Sequence, residues 1–295
     1  MRKTLALLSV LLATTSWSQS GRSSRYPVQE TERFQRSLAF SAGSSPKTLE
    51  VDNINGNIRV TGYDGRTVEM TAVKTIRATS QDRIAVAKQE VKLDITENAD
   101  MIRIYADEPG RCNCRDGSSG NRWNSGSRRD PGYRVDFDFE LRVPREAKLF
   151  LRTVNNGDIH VSNMAADFDI DNVNGNVEMN EMGGSGRAYA LNGEMKVTFA
   201  SNPKTASYFG SLNGDVTITF RSNFDADLLF KTFNGEVYTD FSLTSLPRVA
   251  QSSERRNGKL IFSKNDFSAF RVGRGGPEIQ FDGFNGDIRV ISGAN

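Results

Sequence analysis

The chain has 295 residues, with 38 Lys and Arg against 36 Asp and Glu, one His and two Cys. A balance this even excludes bulk positive charge as a way of holding nucleic acid or an anionic membrane. Two cysteines and a single histidine are too few soft ligands for an ordinary structural zinc site.

In chain order, the first predicted element is a secretory signal peptide. Arg2 and Lys3 precede a short apolar run, Leu5 to Ala13, and Ser16-Trp17-Ser18 places small residues where a signal peptidase reads them. Cleavage is expected after Ser18, so residues 1–18 are set apart from the fold. The run is too short to span a bilayer, and no later segment approaches about 20 apolar residues. No Cys follows it to carry a lipid anchor. The expected location is therefore outside the cytoplasm: periplasm, cell surface or extracellular. Without residues 1–18 the chain carries 36 basic and 36 acidic residues.

Residues 19–46, rich in Ser, Arg and Gln, read as an N-terminal tail or leading strand, and residues 47–295 as one β-strand repeat domain. Thr67 to Val73 reads as a strand. Residues 79–93 are a helix candidate: Ser80 can cap it, and Ile84, Ala87 and Val91 recur at helical spacing. Val91 to Ile95, Met101 to Tyr105 and Val135 to Val143 alternate as strands do.

The dominant feature is a repeated phrase: an apolar residue, Asn-Gly, an acid or amide, then an apolar residue. Its glycines are Gly56, Gly157, Gly175, Gly193, Gly214, Gly235 and Gly286. Their spacings are 101, 18, 18, 21, 21 and 51 residues. A repeat of 18–21 residues suits one coil of a β-solenoid, with short strands and tight corners. Two residues after Gly sit Ile58, Ile159, Val177, Met195, Val216, Val237 and Ile288, and period-two alternation continues beyond them. A strand therefore follows each Asn-Gly.

Asn-Gly is also the strongest short hairpin signal. In a two-residue hairpin the residue before Asn shares a face with the residue after Gly. That would set Ile54, Val173, Leu191, Leu212, Phe233 and Phe284 beside polar partners. A corner inside a coil lets these apolar residues point inward, so the corner is preferred, with the seven glycines as turns that accept φ > 0. A second apolar position five before Gly (Val51, Ile170, Phe209, Phe230, Phe281) breaks alternation and predicts a bend before the corner.

Residues 108–134 form an Arg-, Gly- and Ser-rich insertion with six Arg, two Asp and Trp123. Arg111, Arg115, Arg122, Trp123, Arg128 and Arg129 are the candidate binding residues, since guanidinium groups and an indole can grip an anionic or sugar surface. A mobile insertion is the plainer reading. Cys112 and Cys114 are one residue apart, so a bridge would close a strained ring. An oxidised or mixed pair is preferred to a metal site. The acids and amides after each Gly could stack into an oxygen-rich column for calcium, but turn capping accounts for them without a metal. His160 occupies a repeat position also filled by Arg, Glu, Lys, Thr and Tyr, which argues against a catalytic triad. Catalytic residues, metal sites and cofactors are all expected to be none.

The opening Leu49-Glu50-Val51-Asp52-Asn53-Ile54-Asn55-Gly56-Asn57-Ile58-Arg59-Val60-Thr61-Gly62, the helix after it, and Leu141-Arg142-Val143-Pro144 before the tandem repeats carry a resemblance. From about Lys47 to Val290 the chain resembles the bacterial family of domain-of-unknown-function 4097 (DUF4097), β-strand repeat proteins also called putative adhesins. The resemblance implies an exported β-solenoid-like fold and no established activity or catalytic residues. The insertion is outside the family pattern.

The expected fold class is all-β: a β-solenoid or β-helix-like repeat domain with one short helix inserted near the N-terminus. The expected function is non-enzymatic, an adhesin or envelope scaffold that binds an envelope protein or glycan and no nucleic acid. Tyr189, Tyr208 and Tyr238 are surface aromatics that could stack on glycans. Alternatives are an enzyme acting on polysaccharide, or a filament that self-associates through open strand edges.

Overall fold

The structure, a computed structural model, describes residues 25–40, 46–109, 111, 130–247, 252–256, 259–263 and 267–293, with 252–256 and 259–263 described by backbone. The signal-peptide segment, Cys112, Cys114 and most of the insertion lie outside the described residues. Nearly all the described regular structure is strand, in two large mixed sheets and one two-stranded sheet, with one helix among the described residues. No described helix is long and apolar enough to cross a membrane. The chain divides into two compact units, Met1–His160 and Val161–Asn295.

The first unit contains β1 (Val28–Ala39), β2 (Thr48–Asp52), β3 (Ile58–Tyr63), β4 (Thr67–Ala78), α1 (Gln81–Glu90), β5 (Lys92–Glu97), β6 (Met101–Asp107), β7 (Tyr133–Pro144) and β8 (Lys148–Thr153). β9 (Ile159–Ser162) spans the unit boundary. One sheet runs β1-β4-β7-β3, antiparallel except between β3 and β7. The other runs β5-β6-β2-β8, where β2 is parallel to both neighbours. The leading segment is thus a full strand, Val28 pairing with Ala78 and Ala39 with Thr67.

The helix forms where expected. Ser80 caps it by accepting a hydrogen bond from the Arg83 N–H, and Ile84 and Ala87 bury its inner face against β1, β4 and β7. At its C-terminal end the Lys74 ammonium of β4 donates to the Val91 carbonyl at 2.7 Å. This satisfies a carbonyl left over by the helix with a cation, as the helix dipole favours. Burial pushes the Lys74 pKa down.

The second unit contains β10 (Phe168–Asn174), β11 (Val177–Met182), β12 (Gly186–Asn192), β13 (Met195–Phe199), β14 (Ser207–Asn213), β15 (Val216–Arg221), β16 (Ala226–Lys231), β17 (Val237–Thr239), β18 (Leu243–Ser245), β19 (Ser252–Arg256), β20 (Lys259–Ser263), β21 (Ser268–Val272), β22 (Glu278–Asn285) and β23 (Ile288–Gly293). Each Asn-Gly here joins a strand of one sheet to a strand of the other. One sheet holds β11-β13-β15-β23-β17 and the other β18-β21-β16-β22-β14-β12-β10. The phrase is therefore a corner rather than a hairpin. Equivalent residues pair in parallel register: Val177 with Met195, Met195 with Val216, and Val216 with Ile288. Inward side chains fill the space between the sheets. Phe199 stacks on Phe220 at 5.1 Å, and Phe281 lies 5.9 Å from Phe209 and 5.0 Å from Phe230. Each such buried side chain contributes roughly 1.5–3 kcal/mol.

The structure corrects three sequence expectations. First, the repeats do not stack in chain order: the last phrase enters between two earlier ones, β22 pairing with β14 and β16, and β23 with β15 and β17. The C-terminal phrase is thus an interior layer rather than an open end.

Second, the apolar residue before Asn points outward in most repeats. Ile54 is 2% exposed, but Phe233 is 73% and Phe284 43% exposed, and Val173, Leu191 and Leu212 are half-buried. Alternation runs unbroken to the corner, without the predicted bend, so the inward residue is the one before: Asn53, Asn172, Ala190 or Ser211. The polar ones, Asn53, Asn172 and Ser211, bind the corner from inside. Asn53 Nδ2 reaches the carbonyls of Asn55, Gly56 and Phe137 at 3.0, 3.2 and 2.8 Å, and Asn172 Nδ2 reaches Asn176 O at 3.0 Å.

Third, positive φ occurs at Gly56, Gly214 and Gly286 but not at Gly157, Gly175, Gly193 or Gly235. What requires glycine at five of these positions is stacking. A Cβ at Gly157 would lie 1.9 Å from Gly56 O, one at Gly193 2.1 Å from Gly175 O, and one at Gly214 2.1 Å from Gly193 O. At Gly286 it would lie 2.4 Å from Gly214 O, and at Gly235 1.9 Å from Gly286 O.

Apart from the two large sheets, β19 and β20 pair antiparallel, Arg256 facing Lys259.

Candidate functional site

The strongest cluster of surface chemistry lies on the outer face of the second unit's sheet that contains β10, β12, β14, β22 and β16. Strand alternation puts Asp169, Asp171, Arg187, Tyr189, Tyr208, Gly210 and Asp282 on that face. Register brings them together: Asp169 pairs with Arg187, Asp171 with Tyr189, Arg187 with Tyr208, and Tyr189 with Gly210. Gly210 in turn pairs with Asp282.

The Tyr189 and Tyr208 rings lie 6.5 Å apart at 33°. The Arg187 guanidinium sits over both, 5.4 and 5.7 Å from the centroids, while paired with Asp171 and, at 3.4 Å, with Asp169. Gly210 is buried beneath the two tyrosines, and its missing side chain lets them lie down on the strand. A Cβ there would meet Tyr208 OH at 2.9 Å, and Asp282 O and the Tyr189 ring at 3.0 Å. The Tyr208 hydroxyl donates to Asp282 Oδ2 at 3.4 Å, and Lys231 approaches the same carboxylate at 3.6 Å. Burial, then the nearby Asp282 charge, pushes the Tyr208 pKa up to about 12, so the hydroxyl stays a donor at neutral pH. Two tilted rings edged by a guanidinium and carboxylates can stack an apolar ligand face and bond its polar rim.

Along one border of this face runs an asparagine ladder. Asn192 Nδ2 donates to Asn174 Oδ1 at 2.9 Å, Asn213 to Asn192 at 2.7 Å, Asn285 to Asn213 at 2.7 Å and Asn234 to Asn285 at 2.9 Å. The outward apolar residues lie beside it, and Phe233 stacks on Phe284 at 4.9 Å and 5°. The next position forms a second ladder. The Glu194 N–H donates to Asn176 Oδ1, Asp287 N–H to Asp215 Oδ1, and Glu236 N–H to Asp287 Oδ1, at 2.9–3.0 Å. Arg289 pairs with both Asp215 and Asp287. These oxygens cap corners and face a cation of the protein itself. Among the described residues no three His, Cys, Asp or Glu side chains cluster as metal ligands.

Of the predicted binding residues, Arg115, Arg122, Trp123, Arg128 and Arg129 lie outside the described residues. Arg111 is described and is not presented to solvent. Its side chain is 3% exposed, paired with Asp52, donating to Ala106 O at 2.7 Å and stacked 4.2 Å from the Tyr105 ring. Its role is to anchor the chain where it leaves β6. Tyr238 is exposed and bonded to Glu236 on the other sheet, away from the Tyr189–Tyr208 pair.

Sequence reasoning missed a cavity of about 530 Å³ in the first unit, lined by Tyr26, Asn55, Glu108, Tyr133 and Arg134 among others. Burial raises the Glu108 pKa to about 7, opposed by the charge of Arg111 and a 3.4 Å hydrogen bond from Asn55. No local motif marks this site, because its residues come from five separate stretches of chain.

No protein-family model and no curated protein sequence matches the chain, so the DUF4097 resemblance rests on the residue pattern. Three solved structures are similar to it. A putative cell adhesion protein from Clostridium sporogenes has 8% identity and a TM-score of 0.42, over 88% of this chain and 99% of that one. A putative adhesin from Bacteroides fragilis has 11% identity and a TM-score of 0.38, over 88% and 96%. A putative lipid binding protein from Parabacteroides distasonis has 12% identity and a TM-score of 0.26, over 89% and 96%.

Proposed function

We propose that this chain is an exported, non-enzymatic envelope protein of the adhesin or scaffold type, built as a β-solenoid and binding a glycan on its ladder face. The solenoid reading is supported by parallel pairing of equivalent residues at each repeat, as in Asn192 with Asn213 and Asn213 with Asn285. The observation that carries the binding reading is the Tyr189–Tyr208 pair, seated over Gly210, with Arg187 above it and Asp171 and Asp282 at its edges. A sugar ring would stack its C–H face on the phenols while its hydroxyls meet Asp171, Asp282 and Arg187.

The test is a glycan array with the wild type, Tyr208→Ala and Tyr189→Ala. The proposal expects retention of a glycan class by the wild type, no cleavage products, and weakening by about two- to tenfold in each variant, since one stacked ring contributes about 0.5–1.5 kcal/mol. Absence of retained glycan, or release of products, overturns it.

A second reading, self-association, is favoured by Val237. It is 39% exposed at a position where Val177, Met195, Val216 and Ile288 are at most 1% exposed. Light scattering that grows with concentration would support it.

A further inference from the structure

Each Asn-Gly pair carries a latent reaction. The Gly backbone nitrogen can attack the Asn side-chain carbonyl carbon, forming a five-membered succinimide and expelling ammonia. Water then opens the ring to aspartate or isoaspartate, so Asn plus water becomes an acid plus ammonia. The step needs a free nucleophilic nitrogen, a mobile Asn side chain and solvent.

The ladder withholds these in its interior. The Gly56 N–H donates to Asn155 O at 3.2 Å, Gly175 N–H to Asn192 O at 3.2 Å, Gly193 N–H to Asn213 O at 3.0 Å, Gly214 N–H to Asn285 O at 2.9 Å and Gly286 N–H to Asn234 O at 3.0 Å. A donated N–H is held in the sheet plane and resists losing its proton. Asn192, Asn213 and Asn285 are further fixed by giving one ladder bond and accepting another.

Among the described residues Asn234-Gly235 is the outermost layer of the ladder, because no strand pairs beyond β17. The Gly235 N–H has no partner among the described residues. Gly235 is also the one exposed glycine among the seven phrases. Asn234 donates its ladder bond to Asn285 but accepts none among the described residues.

We propose that Asn234 is a site of spontaneous deamidation, selected by its place at the end of the ladder rather than by local sequence. The product has a second consequence. A carboxylate at 234 cannot donate to Asn285 Oδ1, and it adds negative charge beside Glu236 and Asp287. Isoaspartate also lengthens the backbone at the isolated bridge between Asn234 and Asn285. The Asn234 carbonyl that holds the Gly286 N–H is thereby displaced, so Asn285-Gly286 becomes the next reactive end. Deamidation then moves inward in ladder order, 234, 285, 213, rather than in chain order.

The experiment is peptide mapping by mass spectrometry, with isoaspartate detection, of the folded protein aged at mildly alkaline pH. A parallel sample is held in urea. In the folded protein Asn234 reacts about tenfold faster than Asn192 or Asn213, equivalent to about 1.4 kcal/mol, the scale of one hydrogen bond. In urea the three rates converge, because each is followed by Gly. The Asn234→Asp variant, folded, shows faster reaction at Asn285 than the wild type. Equal rates at Asn234 and Asn213 in the folded protein overturn the proposal. So does a preference for Asn234 that persists in urea, since local sequence would then explain it.

Discussion

Replacing Gly193 by Ala adds one methyl group at an interior point of the corner stack. The new Cβ would sit 2.1 Å from Gly175 O, 2.6 Å from its carbonyl carbon and 3.1 Å from Asn176 N, all of them backbone atoms. A side-chain tip could swing aside, but these atoms move only with the whole corner. The hydrogen bonds that cross this interface include four: Gly175 N–H to Asn192 O, Val177 N–H to Glu194 O, Asn192 Nδ2 to Asn174 Oδ1 and Glu194 N–H to Asn176 Oδ1. Relieving the clash needs a shift of about 1 Å, enough to lose about half of them at about 1 kcal/mol each. Overpacking adds about 1–3 kcal/mol. The expected loss is about 3–5 kcal/mol. Gly183→Ala is the matched control, since its Cβ would meet nothing closer than Ala165 Cα at 3.4 Å; its expected change is below about 1 kcal/mol. Urea unfolding followed by circular dichroism reads both. Equal midpoints for the two variants would refute the reasoning that the glycines are required by stacking.

Three further outcomes follow from buried polar groups. Asn53→Ala removes the amide that reaches three corner carbonyls and lowers stability by about 2–4 kcal/mol in the same unfolding assay. Arg111→Met breaks the buried pair with Asp52 and costs about 3–5 kcal/mol, measured by urea unfolding with Asp52→Asn/Arg111→Met recovering part of the loss. Glu108 has a folded pKa of about 7 against its ordinary 4.5, so the folded state holds this proton more tightly than the unfolded chain. Its contribution is full below about pH 4.5 and is lost as pH rises through about 7. Thermal melts of wild type and Glu108→Gln at pH values on either side of that window should show the wild type losing more stability on the way up. Parallel curves would contradict the assignment.

The local elements were legible in the sequence because each rests on a short-range rule. Ser80 with Ile84 and Ala87 specified the helix start and inner face, and the alternation after each Gly specified the strands. The corner was inferred correctly from an incorrect premise. Val173 and Leu212 were assigned inward because they are apolar, yet strict alternation places Asn172 and Ser211 inward instead. A buried amide or hydroxyl gives no hydrophobic signal; its reason is the set of corner carbonyls it binds, which exist only after folding. The entry of the last phrase between two earlier ones was also hidden. Phe209, Phe230 and Phe281 are interchangeable as pattern, and only the folded layers show Phe281 lying between the other two. The aromatic face was only half visible: Tyr189 and Tyr208 could be named, but Arg187, Gly210 and Asp282 join them only through parallel register. For the same reason Arg111 read as a surface cation, since nothing near it in sequence shows Asp52 or Tyr105 closing over it.

The account depends most on the layer order, in which Asn285 separates Asn213 from Asn234. Thr217 pairs with Arg289, and Arg289 with Tyr238. Neighbouring strands are about 4.8 Å apart, so Thr217 and Tyr238 stand about 9.6 Å apart. A disulfide bridges Cα atoms only up to about 7 Å. In a Cys112→Ser/Cys114→Ser background, Thr217→Cys with Arg289→Cys should cross-link on mild oxidation, while Thr217→Cys with Tyr238→Cys should not. The reverse result, with 217 joined to 238 and 289 left free, would mean that the repeats stack in chain order and would contradict both the ladder and the face built on it.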